Sequence, residues 1–152
     1  MDAIARRAEL TTLVSALQQA GLDRTLMSDG PYTLFAPQNA AFEQIPASTR
    51  QEMSTPERRN DLIAWLGYHI VPGRLTIGEL ATRAQANGGS LDLPTVQGGK
   101  LTARTNLDGS VSLIDEGGQQ ARIEVPDALS GNGVVHEINF VLAPNQIRGA
   151  AF

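Results

Sequence analysis

The hydrophobic pattern of this chain changes once, near Gly88, from the period of helices to the two-residue period of strands. Before that point, one helix face shows the spacing i, i+3, i+4, i+7 in Leu10, Leu13, Val14 and Leu17. Gly21 is placed to end that helix. After Gly88, short runs of Val, Ile, Leu and Thr alternate with Gly-containing turns. Helices followed by antiparallel strands predict an α+β domain and argue against a doubly wound α/β domain.

The first part of the chain also predicts one strand and two more helices. The strand covers residues 32–36 and ends at Pro37. One helix begins near Thr55, which we expect to cap it, with Pro56 at its first position. The apolar face of that helix is predicted to consist of Leu62, Ile63, Leu66 and Ile70. A shorter helix begins near Thr76.

The second part predicts an antiparallel meander, in which two Gly-containing turns at 106–109 and 117–118 join three strands. Those strands are residues 100–105, 110–114 and 121–125, and a last strand covers 134–142. Asp115 and Glu116 precede the second turn and are expected to be solvated.

Length and composition limit the possible functions. A chain of 152 residues fits one domain with a sizeable core. The formal net charge of -4 gives no electrostatic basis for binding nucleic acid, and no apolar run is long enough to span a membrane. The absence of cysteine excludes a Cys nucleophile and a thiolate zinc site. The polar start of the chain does not resemble a signal peptide, so we expect a cytosolic protein or a mature domain.

The sequence contains no phosphate-binding loop, dinucleotide-binding loop or nucleophile elbow. His69 and His136 are the only histidines, and histidine alone ordinarily titrates near neutral pH. A catalytic interpretation would pair one of them with Ser and Asp, and a metal site would add carboxylates such as Asp127 or Glu137. Both histidines lie in apolar segments, where a core side chain with hydrogen-bonded ring nitrogens is the usual role. We therefore predict no catalytic residue, no metal site and no cofactor.

Three segments resemble the signature segments of fasciclin domains. Residues 33–42 (TLFAPQNAAF) resemble the first signature, and residues 66–73 (LGYHIVPG) resemble the Tyr-His segment. Residues 132–144 (NGVVHEINFVLAP) resemble the second signature. Their order and spacing agree with the family, and the resemblance covers residues 10–144.

The resemblance implies a wedge-shaped antiparallel β-sandwich with a helical layer. It implies a single domain over residues 1–145, followed by a tail at 146–152. It also implies a non-catalytic module, periplasmic, secreted or on the cell surface, that attaches cells to cells or to matrix through a protein or matrix partner. A cysteine-free single domain is more similar to bacterial members, and we expect a monomer.

A periplasmic protein that binds a small ligand or carbohydrate is the alternative. A pocket lined by polar groups would favour that alternative, whereas a broad, flat apolar patch would favour adhesion.

The signature residues are expected to be mainly structural. Pro37 ends a strand, and Asn39 is expected to cap a short helix that inserts Phe42 into the core. Gly133 is expected to permit a tight entry into the last strand, which Pro144 stops. The same structural role is expected of Phe35, Tyr68, His69 and His136.

Binding is predicted at three polar positions. Gln38 stands where the family commonly has Thr. Asp127 retains the acid of the integrin-recognition motif of animal members, but its neighbours differ from that motif, which argues against direct integrin binding. Asn132 follows in the same segment, which we expect to be an exposed loop in which Asp127 braces a turn.

Overall fold

Helices make up most of the described residues before Gly88, and strands make up most of the described residues after it, as the sequence pattern predicts. The computed structural model describes residues 10–22, 31–45, 47–53, 55–130 and 133–142. The helices are α1 (Thr11–Ala20), α2 (Asn39–Glu43), α3 (Ala47–Met53), a 3-10 helix (Pro56–Arg58), α4 (Arg59–Gly67) and α5 (Ile77–Ala86). None of the described helices is long and apolar enough to cross a membrane.

Seven strands form one sheet in the order β2-β1-β7-β6-β5-β4-β3. They are β1 (Tyr32–Pro37), β2 (Ile70–Pro72), β3 (Ser90–Pro94), β4 (Lys100–Thr105), β5 (Val111–Ile114), β6 (Gln120–Ser130) and β7 (Gly133–Ile138). β1 and β7 are parallel, with Tyr32 opposite Gly133 and Pro37 opposite Ile138, and the other described pairs are antiparallel. The expected α+β class is confirmed, and the sheet is mixed through this one parallel pair.

The sheet curls until its two edges approach each other. The amide of Val96, in the turn after β3, donates to the carbonyl oxygen of Ile70 in β2 at 2.8 Å. The sheet is therefore nearly a barrel, which is a close relative of the expected wedge-shaped sandwich.

Two hydrophobic cores lie on the two faces of the sheet. The first packs α1, α2 and α4 against β1 and β7, and it includes Leu13, Leu17, Leu34, Phe42, Trp65 and Val135. The second lies within the curled sheet beneath α5, and it includes Phe35, Tyr68, Leu80, Leu101, Leu113 and Ile138. β7 is buried on both faces because each core covers one of them, so burial is continuous along the strand rather than alternating.

Helix ends agree with the sequence where the signal is a glycine or a local cap. Gly21 ends α1 in the left-handed conformation (φ 77°), and Thr76 caps α5 by accepting from the amide of Glu79 at 3.3 Å. Thr55 and Pro56 take the expected N-cap and first helical positions, but the Thr55 hydroxyl donates to the carbonyl oxygen of Glu52 and makes no cap bond. α4 also ends earlier than expected, so Ile70 lies in β2 rather than on the helix.

The strand bounds differ mainly in β6 and β7. β4 and β5 match the predicted hairpin closely, whereas β6 continues to Ser130 and β7 ends at Ile138. The pairing of β6 with β7 shifts register on each side of Val125, so β6 carries two bulges there.

Candidate functional site

The Tyr-His segment holds the end of the last signature segment through a pair of buried hydrogen bonds. The amide of Leu142 donates to Nε2 of His69 at 3.0 Å, and its carbonyl oxygen accepts from Nε1 of Trp65 at 2.8 Å. Nδ1 of His69 lies 2.9 Å from the carbonyl oxygen of Trp65. Since a carbonyl only accepts and an amide only donates, His69 is neutral with its proton on Nδ1.

Burial keeps His69 in that neutral state. Desolvation lowers the pKa of His69 from 6.5 to about 4, while the Trp65 carbonyl and the negative charge of Asp115 act in the opposite direction. Both ring nitrogens are engaged by the backbone, so protonation of His69 would remove the acceptor for Leu142.

A second histidine holds a second leucine, but it bonds to the carbonyl group of that leucine rather than to its amide. The amide of Leu75 donates to the Thr33 hydroxyl at 2.8 Å, and its carbonyl oxygen accepts from Nε2 of His136 at 2.7 Å. The Thr33 hydroxyl donates in turn to Gly73 at 2.7 Å, and the His136 ring stacks on Phe35 with 5.6 Å between centroids. Both histidines are buried, as their apolar segments predict, and each fixes a chain segment that follows a strand.

Tyr68 joins the start of β4 to the turn after β5. Its buried hydroxyl donates to the carbonyl oxygen of Lys100 at 2.5 Å and accepts from the amide of Glu116 at 3.1 Å. Asp115 is also buried, which corrects the expectation that it is solvated. Its carboxylate accepts from the amides of Gly117 and Gln119 at 2.9 Å each, so it shapes the turn from inside.

Asn39 stabilises a different helix from the one we expected. Its side-chain oxygen accepts from the amide of Thr12 at 2.9 Å, and its side-chain nitrogen donates to the Thr11 hydroxyl at 2.9 Å. Thr11 and Thr12 open α1, whereas Asn39 makes no cap for α2, at whose start it lies. The residue is a cap, but it acts on a helix 27 positions earlier in the sequence.

Gly133 is required by the close approach of β1. A Cβ atom at this position would lie 1.7 Å from the carbonyl oxygen of Tyr32, its partner in the parallel pair. Gly133 is therefore needed because β1 leaves no space for a side chain, rather than because the chain turns tightly into β7.

The remaining signature residues are placed as follows. Phe35 and Phe42 are buried in the two cores, and Phe42 meets Trp65 edge-on with 6.0 Å between centroids. Pro37 is the last residue of β1. Pro144 lies outside the described residues.

The predicted binding residues are placed only in part. Gln38 is half-buried at the end of β1, where its side-chain nitrogen donates to the buried carboxylate of Glu137 at 2.9 Å. Asp127 belongs to strand β6 beside a bulge, which corrects the loop and turn expected there. The Asp127 side chain and all of Asn132 lie outside the described part, so the binding role of these residues stays a prediction.

The exposed large hydrophobic residues of the described chain are Val96 and Leu107, each in the turn of a hairpin. They lie at opposite ends of β4 and do not form the broad patch that would favour adhesion. An open groove of about 440 Å³ runs beside the start of α5, lined by Thr76, Gly78, Glu79, Thr82 and Arg83. The turn at 106–109 was predicted from the sequence, but the exposure of Leu107 was not. An apolar residue between polar turn residues could have indicated it.

The sequence model of the Fasciclin domain matches residues 8–144. The chain belongs to the fasciclin domain family. This fasciclin domain is 35% identical over 134 residues to protein sll1483 of Synechocystis, covering 88% of the chain and 67% of that protein. It is 41% identical over 98 residues to immunogenic protein MPB70 of Mycobacterium bovis, covering 61% of the chain and 49% of that protein.

Two further likenesses cover a smaller part of the other protein. The domain is 33% identical over 144 residues to the transforming growth factor-beta-induced protein ig-h3 of Sus scrofa, covering 95% of the chain and 19% of that protein. Its fold matches a FAS1 domain pair from the insect cell adhesion molecule Fasciclin I with a TM-score of 0.68 and 23% identity, covering 88% of the chain and 45% of that structure. The chain thus spans less than half of these two proteins.

Proposed function

We propose that this fasciclin domain is a non-catalytic adhesion or protein-interaction module that acts outside the cytoplasm, in the periplasm, in secretion or at the cell surface. It attaches cells to cells or to matrix by binding a protein or matrix partner. Membership of the fasciclin domain family supports this proposal, as does the fold shared with a domain pair from an insect cell adhesion molecule.

The burial of the polar signature residues is the observation that carries the proposal. Thr33, His69 and His136 are buried and bonded to the backbone of their own chain. Polar side chains that are buried and bonded to the backbone stabilise the fold, so we expect exposed residues to bind the partner.

We place the first contact at Gln38, Asp127 and Asn132. Gln38 follows β1, and its bond to Glu137 fixes the direction of its side chain. Asp127 lies in β6 between Val125 and Ala128, where the pairing with β7 shifts register. These residues carry amide and carboxylate groups, which suit polar contacts with a protein.

The test combines Asp127→Ala and Asn132→Ala in one variant. Beads coated with this variant should attach less well than wild-type beads to cells or to a matrix-coated surface. Gln51→Ala combined with Glu52→Ala is the matched control, because it removes one amide and one acid from the exposed surface of α3. Thermal unfolding of both variants separates loss of contact from loss of fold. Undiminished attachment of the folded Asp127/Asn132 variant would exclude this contact.

The alternative of a periplasmic ligand-binding protein rests on the open groove beside α5, because Thr76, Glu79, Thr82 and Arg83 line it and carry groups that can form hydrogen bonds. A library of monosaccharides and disaccharides, screened by thermal unfolding, tests it directly. Attachment to no surface, together with stabilisation by one sugar that Thr82→Ala abolishes, would replace the adhesion proposal with this alternative.

A further inference from the structure

Three hairpin turns of the sheet share one backbone design. They cover residues 95–98, 106–109 and 115–118, and each ends in a glycine with positive φ. In each turn the first residue donates its amide to the carbonyl four positions later, and the glycine amide donates back to the first residue, at 2.9–3.0 Å. The second positions are Val96, Leu107 and Glu116, so the same place in the turn carries different side chains.

The turns at 95–98 and 115–118 are attached to the body of the domain. The amide of Val96 bonds to Ile70 in β2, and the amide of Glu116 bonds to the Tyr68 hydroxyl. The turn at 106–109 lies at the other end of β4. Val96 is accordingly 40% exposed, whereas Leu107 has a relative exposure of 110% and is entirely in water.

The turn that carries Leu107 is held rigid by its own polar side chains. One oxygen of Asp108 accepts from the amide of Ser110 at 3.0 Å and from its hydroxyl at 2.6 Å. The side-chain nitrogen of Asn106 lies 3.0 Å from the Ser110 hydroxyl and 2.9 Å from the Ser112 hydroxyl. These polar side chains bond to the turn and its strands, while the Leu107 side chain lies in solvent.

Among the described residues, one positive charge on the strands beside this turn has no acidic partner. Ser112 in β5 is paired with Arg104 in β4 and with Arg122 in β6, so the three residues form one row across the sheet. Arg122 pairs with the second oxygen of Asp108 at 2.8 Å. Arg104 donates to the amide oxygen of Gln120, and it makes no ion pair within the described residues.

We infer that Arg104 and Leu107, together with the Asp108–Arg122 ion pair, form a hairpin-tip surface that binds a protein partner. The partner must present an apolar pocket of leucine size next to a carboxylate, because Leu107 is apolar and Arg104 supplies an unbalanced positive charge. This inference rests on the proposed function and names a second contact for it. Isolated exposed leucines are ordinary on protein surfaces. Here the turn already has the rigidity that a binding anchor needs, so little conformational entropy is lost on contact.

The test compares Leu107→Ser with Val96→Ser, which removes an aliphatic side chain from the same position of a sister turn. Beads coated with each protein are measured on surfaces coated with collagen, fibronectin or laminin, and on surfaces coated with the domain itself. Burial of one leucine predicts a loss of about ten- to a hundredfold in affinity for Leu107→Ser and no loss for Val96→Ser. Arg104→Gln should lower affinity about two- to fivefold, and high salt should remove that difference.

Each other outcome overturns the inference. Equal attachment of wild type and Leu107→Ser shows that the hairpin tip is not a contact, although the proposed function stands. Equal losses in Leu107→Ser and Val96→Ser show a general effect of apolar surface. Attachment only to the domain itself identifies a second copy as the occupant. Binding to vesicles of phosphatidylcholine and phosphatidylserine that depends on Leu107 identifies a membrane. If wild-type beads attach to no surface, the proposed function fails as well.

Discussion

The polar side chains of the three signature segments and those of the meander β3–β6 bond over very different lengths of chain. One side-chain hydrogen bond of His69, one of His136 and one of the adjacent Trp65 join residues 73, 61 and 77 positions apart. The bonds that Asp108 and Asp115 accept within their own turns join residues 2 and 4 positions apart. A long-range bond forms only after the intervening chain has folded, whereas a turn forms locally. The signature region therefore depends on the completed fold, whereas the Asp108 and Asp115 side chains stabilise their turns through local bonds.

The aromatic residues of the signature region should give the largest effect. Phe35→Ala or Phe42→Ala should cost about 3–5 kcal/mol, because each ring is buried and its loss leaves a cavity. Leu107→Ala in the meander is the control and should leave the urea midpoint unchanged, since that side chain is exposed. A midpoint within error of wild type for either Phe variant would show that its signature ring does not support the fold.

Gly133→Ala tests whether the parallel pair tolerates any side chain at this position. The Cβ atom would meet the backbone of β1, so β1 and β7 must separate, at a cost of about 3 kcal/mol or more. Gly78→Ala is the matched control, because its Cβ has ordinary space in α5 and alanine favours helices. Urea unfolding should show a destabilised Gly133 variant and a Gly78 variant equal to wild type or more stable; equal midpoints would contradict the steric argument.

Acid should weaken the signature region through His69. The unfolded state binds a proton near pH 6.5 and the folded state only near pH 4, so this contribution is complete above pH 6.5 and is lost as the pH falls towards 4. The loss amounts to about 3 kcal/mol over that range. Urea unfolding of wild type and His69→Gln at pH 7, 5.5 and 4.5 measures this loss of stability. The carboxylates titrate in both proteins, so the difference between the two pH dependences reports His69. Parallel stability curves would rule out a role for His69 protonation.

Asn39→Ala should have a smaller effect, of about 1 kcal/mol, because it removes a cap from α1. Asn106→Ala removes local bonds in the meander and should cost less, since the backbone bonds and Asp108 still hold that turn. Circular dichroism during thermal unfolding compares the two variants. A larger loss for Asn106→Ala would reverse the ranking of long-range and local bonds.

Zinc should stabilise neither the signature region nor the meander. Both nitrogens of His69 are engaged by the backbone, and Nε2 of His136 is engaged by Leu75. A slight excess of zinc should leave the melting temperature unchanged. An increase of several degrees would reveal a native metal site and contradict the predicted absence of one.

The difference between local and long-range contacts also explains which features the sequence could predict. The strand at 100–105 and the turn at 106–109 were predicted correctly, because alternation and turn residues are local signals. The burial of His69 and His136 followed from their apolar neighbours. Their partners could not be predicted, since Leu142 and Leu75 are brought to them only by the folded sheet.

The errors also involve contacts with distant parts of the chain. Asn39 looked like the cap of its own helix, yet it caps α1 because the two helices pack together. Asp127 looked like a turn residue, yet β6 continues past it because β7 supplies pairing partners. Asp115 is the exception, because its error is local: it looked solvated beside two glycines, yet the amides of its own turn bond to its buried carboxylate.

The position of β7 has a consequence for how the chain folds as it is synthesised. β7 follows every other described strand in sequence, yet it lies between β1 and β6 in the sheet. Until residues 133–138 leave the ribosome, β1 has no parallel partner and β6 has an open edge. Folding of this domain must therefore await residues 133–138, and non-local pairing of this kind is slow. We expect the preceding strands to remain without stable sheet pairing until these residues have been synthesised, a period in which a chaperone can capture them.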